Sequence, residues 1–115
     1  MKFKEQFSFE QRKQESEIII EKYPDKIPVI CEKLHNSDPT ISKKKYLVPY
    51  NSTLSYFIFL IRNRELIKKE QGIFMIINNN IPPANMYFYQ LYNLFRNEDG
   101  FLYINYSFEN VFGSE

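Results

Sequence analysis

The 115-residue chain has no tryptophan, a single cysteine, a single histidine and only three glycines. Each shortage excludes something. Cys31 has no second cysteine to pair with, so nothing calls for an oxidising compartment, and its place beside Ile30 suits a small buried side chain better than a nucleophile. His35 stands alone in a polar stretch, without the repeated Cys or His spacing of a metal site. Gly72, Gly100 and Gly113 are too scattered for a glycine-rich phosphate loop, and no triad spacing is present, which points away from an enzyme. The longest apolar run, Tyr56 to Ile61, is far below the roughly 18 residues a membrane span needs. The start, Met1 to Gln6, lacks the apolar region of a secretory signal. Neither sign of charge dominates: 15 Lys and Arg stand against 14 Asp and Glu, too even to make nucleic acid the main partner. These bounds lead to the expectation of a cytoplasmic, monomeric protein of one domain.

What is abundant is aromatic: 11 Phe and 9 Tyr, enough for a dense core with some apolar surface left over. Ser8-Phe9-Glu10-Gln11 fits a capping box, and a helix is expected to about Lys22, stopped by Pro24. Its apolar positions are Phe9, Ile19 and Ile20, with Ile18 on another face. Residues 3–7 form either a further helical turn or an arm. Ile27 to Cys31 reads as a strand with both faces apolar, Ile27, Val29 and Cys31 one way and Pro28 and Ile30 the other. Residues 34–42 are a loop. Lys43 to Pro49 is a short strand closed by Pro49 and best placed at a sheet edge.

Thr53 can cap a second helix with Leu54, Phe57, Ile58, Leu60 and Ile61 facing inward. Ile73 to Ile77 reads as a buried strand and Asn78 to Asn80 as a turn. A third helix is expected over about 86–95, with Leu91, Leu94 and Phe95, and a last strand over Phe101 to Tyr106. After the first helix the order is β-β-α-β-α-β, which builds a compact α+β sheet.

Five segments stand in a telling order: Tyr23-Pro24-Asp25-Lys26-Ile27-Pro28-Val29-Ile30; KKKYLVP from Lys43 to Pro49; Phe59-Leu60-Ile61-Arg62-Asn63-Arg64; Asn79-Asn80-Ile81-Pro82-Pro83; and Phe101-Leu102-Tyr103-Ile104. Together they resemble the ubiquitin-like autophagy modifiers, the GABARAP-type proteins, from about residue 1 to Gly113. The resemblance implies a ubiquitin-like β-grasp domain with a mixed four-stranded sheet and two additional N-terminal helices. Residues 1–24 would be the helical extension, 25–111 the core and 112–115 a processed tail.

The resemblance also implies a reaction cycle in which the protein is substrate, not enzyme. A cysteine protease would remove Ser114 and Glu115, with Phe112 helping to seat the tail. Activating and conjugating enzymes would then carry the Gly113 carboxylate to the amine of phosphatidylethanolamine, anchoring the domain on autophagosomal membranes. No other cofactor is implied. A second implied function is docking of extended peptides carrying an aromatic and, three residues on, an aliphatic side chain, supplied by adaptors and cargo receptors. The aromatic pocket would consist of Glu15, Ile19, Pro28, Ile30, Lys45, Leu47 and Phe101. The aliphatic pocket would consist of Tyr46, Val48, Pro49, Phe57, Leu60 and Arg64. Ser52 and Glu65 depart from the family, which usually has apolar residues there, and the loop over 34–42 is the chain's own. Two other readings carry different signatures. An unconjugated ubiquitin-like module of vesicle trafficking would not need Gly113. An RNA-binding sheet stacking bases on Phe74 and Tyr103 would lose affinity steeply with salt.

Overall fold

In the computed structural model, which describes residues 1–109, eight elements follow in order: α1 (Phe3–Gln6), α2 (Phe9–Lys22), β1 (Lys26–Lys33), β2 (Lys45–Pro49), α3 (Leu54–Arg64), β3 (Gly72–Ile76), α4 (Phe88–Phe95) and β4 (Leu102–Glu109). The strands form one sheet in the order β2-β1-β4-β3. β1 runs antiparallel to β2 and parallel to β4, and β3 runs antiparallel to β4. First and last strands therefore lie side by side at the centre, and the mixed sheet with its helices is a β-grasp fold with an N-terminal helical extension.

The local signals act as their chemistry dictates. Gln11 N donates to Ser8 Oγ at 3.2 Å while Ser8 N donates to Gln11 Oε1 at 2.9 Å, a reciprocal cap that starts α2. Thr53 Oγ1 accepts from Tyr56 N to start α3. Other boundaries move because pairing overrides local preference. α4 begins at Phe88, later than residue 86, because Met86 accepts from Leu54 N and Tyr87 bridges to Thr53. β2 begins at Lys45, not Lys43, where its register with Ile30 opens. β4 continues past Tyr106 to Glu109 because β3 pairs with it as far as Gly72.

Both faces of β1 are covered. Ile27, Val29 and Cys31 pack with Leu54, Phe57 and Ile61 of α3 and Phe88 and Leu91 of α4. Ile30, on the opposite face, packs with Phe3, Phe101 and Ile19. Residues 3–6 are thus a helical turn and not an arm. Phe3 is 1% exposed, its ring meets Phe101 edge-on at 5.3 Å, and its amide donates to Glu32 Oε2 at 2.7 Å. Burying one such ring stabilises by about 1.5–3 kcal/mol, enough to hold a four-residue helix that could not persist alone.

One inward assignment is corrected. Leu60 is 40% exposed, because three-residue and four-residue spacing along α3 needs only Leu54, Phe57 and Ile61 to reach the sheet, and Leu94 of α4 is 65% exposed. In α2, Phe9 and Ile20 lie on the surface and Ile19 is half-buried, while the fully buried residue is Ser16. That helix is fastened by polar contacts. Ser16 Oγ donates to the Asp99 carbonyl, and the Arg12 guanidinium pairs with the Asp99 carboxylate, both at 2.5 Å. Asp99 is fully buried and also accepts from Tyr103 Oη at 2.6 Å and Phe101 N at 2.9 Å. Burial, and then the bond to Asp99, push the Tyr103 hydroxyl above its ordinary value.

Candidate functional site

β2 has a strand neighbour on one side only, so its other edge is open for pairing. Along β2 the side chains alternate. Lys45 and Leu47 stand out on the α2 side, opposite Ile30 and Pro28 of β1, while Tyr46 and Val48 turn toward α3. The alternation produces two adjoining cavities. One, of about 400 Å3, lies between β2 and α2 and is lined by Glu15, Ile19, Lys43, Lys45, Tyr46, Leu47 and Phe101. The other, of about 290 Å3, lies between β2 and α3 and is lined by Lys43, Tyr46, Leu47, Val48, Pro49, Phe57, Leu60, Ile61 and Arg64. Lys43, Tyr46 and Leu47 border both.

Of the residues expected at the aromatic pocket, Glu15, Ile19, Lys45, Leu47 and Phe101 come together around the first cavity. Pro28 and Ile30 do not line it. Both are buried in β1, and Ile30 lies beneath Phe3 and Phe101. All six expected at the aliphatic pocket (Tyr46, Val48, Pro49, Phe57, Leu60 and Arg64) line the second. The exposure of Leu60 is the exposure of a cavity wall. Lys43 and Ile61 were missed. The four-residue spacing of Ile61 from Phe57 could have signalled it, whereas Lys43 reads as one more solvated lysine. Gly113, Phe112, Ser114 and Glu115 lie outside the described residues.

The electrostatics of the groove are specific. Lys45 Nζ pairs with Glu15 Oε2 at 2.5 Å, so the two charges lie together on the first cavity and an entering side chain has to part them. Both partners are well solvated, so the pair itself is weak. Tyr46 Oη donates to the Lys43 carbonyl at 2.9 Å, its ring meets Phe57 edge-on at 5.3 Å, and Lys43 Nζ lies 5.1 Å from the ring centre. Tyr46 is therefore a fixed partition between the cavities. Burial is the main reason its hydroxyl is pushed above the ordinary range. Ser52 is not on either wall; its hydroxyl donates to the Pro49 carbonyl at 2.7 Å and closes the turn after β2. Glu65 points to the loop over 34–42, accepting from Ser42 N at 3.2 Å and from Ser42 Oγ at 2.8 Å.

The remaining surface offers less. Tyr103 carries Lys4 Nζ 4.4 Å above one face of its ring. Among the described residues no group of His, Cys, Asp or Glu is arranged to hold a metal, and no helix is long and apolar enough to cross a membrane.

An edge strand flanked by two apolar cavities on a β-grasp sheet can now be set beside known proteins. A family model described as autophagy protein Atg8, ubiquitin-like, matches residues 11–113. The chain belongs to the Atg8 family. Autophagy-related protein 8 of Schizosaccharomyces pombe is 51% identical to it over 113 residues, covering 97% of this chain and 93% of that protein. The protein of the same name from Vanderwaltozyma polyspora is 47% identical, covering 97% and 96%. Among solved structures, Trypanosoma brucei ATG8 superposes with a TM-score of 0.88 at 33% identity over 95% of both chains. Plasmodium falciparum Atg8, solved in complex with a P. falciparum Atg3 peptide, gives a TM-score of 0.84 at 33% identity over 93% of this chain and 95% of that one. As an Atg8-family protein the chain is an autophagy ubiquitin-like protein, and the segments quoted from its sequence carry a resemblance that spans almost its whole length.

Proposed function

We propose that this protein is a lipid-conjugated modifier of autophagy that docks short peptides on membranes. The observation that carries the reading is the β2 edge between two apolar cavities. An extended peptide laid on that edge gains main-chain hydrogen bonds, and two residues three positions apart, which point to opposite faces of the added strand, enter the cavities on the two sides of β2. The larger cavity suits an aromatic side chain and the smaller an aliphatic one. Lys43, Lys44 and Lys45 favour acidic residues beside the motif. A relative solved with an Atg3 peptide supports a conjugating-enzyme segment as one occupant, beside adaptors and cargo receptors.

The family match ends at Gly113, just before Ser114 and Glu115, which supports cleavage there. A cysteine protease hydrolyses the Gly113–Ser114 bond and frees the Gly113 carboxylate. Activation as an adenylate and then a thioester stores the acyl-transfer potential. The phosphatidylethanolamine amine attacks the thioester carbonyl, the thiol leaves and an amide forms. Glycine leaves the reacting carbonyl uncrowded, and the lipid turns a domain that begins in the cytoplasm into one held on the autophagosomal membrane. The protein supplies the carboxylate and the docking surface, and the enzymes supply the chemistry.

The test is the intact mass of the protein from starved host cells, beside Gly113→Ala. Loss of Ser114 and Glu115 with a phosphatidylethanolamine adduct, absent in the variant, is the expected result. A full-length unmodified mass would reject conjugation and leave an unconjugated interaction module of vesicle trafficking.

A further inference from the structure

The parallel ladder between β1 and β4 stops before β4 does. Its last backbone rung is Leu34 N to Tyr106 O at 2.8 Å, after which the chain turns away from the sheet. Alternate residues of a strand direct their amides to the same edge, so the next β4 donor facing that side is Phe108 N. No backbone carbonyl is left there to receive it. The Asp38 carboxylate takes the place: Oδ1 accepts from Phe108 N at 3.1 Å, and Oδ2 accepts from His35 N at 3.1 Å. Asp38 is 8% exposed, and it is the first buried side chain after Cys31.

The acceptor sits on a fastened loop. Asp38 N donates to the His35 carbonyl at 3.0 Å. Tyr106 Oη donates to the Pro39 carbonyl at 2.6 Å and accepts from Ile41 N at 3.1 Å. Glu65 then ties Ser42 to the end of α3. On its other side β4 is held by β3 through Phe74 with Ser107 and Gly72 with Glu109. The end of β4 is therefore gripped by a strand on one side and by one carboxylate on the other.

We propose that Asp38 is a positioning residue for the reactions at the C-terminus: by holding Phe108 N it fixes the point at which the tail leaves the domain. The inference rests on the proposed cleavage after Gly113. Gly113 lies only five residues beyond Phe108, so the scissile bond is confined to within about 17 Å of the point where Phe108 is held. A protease that grips both the domain surface and the tail binds the population in which the two are in register. Freeing Phe108 shrinks that population, which raises KM and leaves kcat unchanged.

The experiment follows cleavage after Gly113 by the host's processing cysteine protease, with amide exchange at Phe108, in wild type, Asp38→Ala and Asp38→Asn. Asparagine keeps one carbonyl oxygen for two amides, so it restores part of the grip. Expected are faster exchange at Phe108 in Asp38→Ala, a KM about tenfold higher at unchanged kcat, and intermediate values for Asp38→Asn. A KM within twofold of wild type despite faster exchange would overturn the proposal, as would unchanged exchange at Phe108. If Asp38→Ala does not fold, the same comparison on Asp38→Asn decides. A wild-type chain that is not cleaved at all would instead reject the proposed function, and the exchange rates would still test the grip.

Discussion

Gly100 and Ser16 pack so closely that a Cβ built on Gly100 would overlap Ser16 Oγ. Gly100 also has φ +93°, in the region L side chains rarely adopt. It is the point where the turn before β4 receives α2. Gly100→Ala should cost at least ~2 kcal/mol in urea unfolding, combining strain and overlap. In a Ser16→Gly background the overlap is gone, so the added cost of Gly100→Ala should fall to that of the backbone strain. Equal costs in both backgrounds would show that the two residues do not couple.

Arg12 matters for the neighbouring carboxylate. Asp99 is buried completely, and Arg12→Ala would leave it without its countercharge while Tyr103 Oη and Phe101 N remain. Breaking such a pair from one side costs about 3–5 kcal/mol. The loss should appear in urea unfolding. It should also weaken peptide docking, because α2 carries Glu15 and Ile19 to the first cavity.

Docking itself is tested on β2. Replacing Lys45 and Leu47 by Ala removes the charge and the shared wall of the groove without touching the core, since both side chains are exposed. Calorimetry with an acidic aromatic-x-x-aliphatic peptide should show affinity at least tenfold weaker, with cleavage after Gly113 unchanged. Unaltered affinity would remove this edge as the docking site.

High pH should unfold the domain from its centre. Burial holds the Cys31 thiol and the Tyr46 and Tyr103 hydroxyls above their ordinary values. The folded state resists losing these protons more than the unfolded state does. The stabilisation is whole below the unfolded thiol's value of about 8.5 and declines as pH rises past it and past about 10 for the phenols, by up to 1.4 kcal/mol per unit per group. Urea midpoints should fall between pH 8 and 10.5, and Cys31→Ala should flatten the first part of the fall. At pH 8 Cys31 should react with iodoacetamide only after unfolding.

How much of this is legible in the sequence depends on the range of the interaction. Ser8 with Gln11, Thr53 with Tyr56, and the apolar alternation of β1 act over a few residues, and each is visible in the chain. The lining of the second cavity is what the family resemblance implies, and it is drawn from β2 and α3, which follow each other in the chain. The anchoring of Phe3 on Phe101, the burial of Ser16 instead of an isoleucine, and the seat of Asp38 against Phe108 each join positions 70 or more apart. No local pattern announces them. Ile30 could be assigned to a face, but the covering of that face by Phe3, Ile19 and Phe101 joins three distant parts of the chain.

The central pairing of β1 with β4 has a consequence for the making of the protein. Glu32 and Asn105 are bonded across 73 positions, so the middle of the sheet cannot close until β4 has been synthesised. A ribosome-bound fragment that has not reached β4 therefore lacks the centre of its sheet. A product that stops before Phe101 also lacks one wall of the first cavity, so the sheet and the groove are finished by the same late segment.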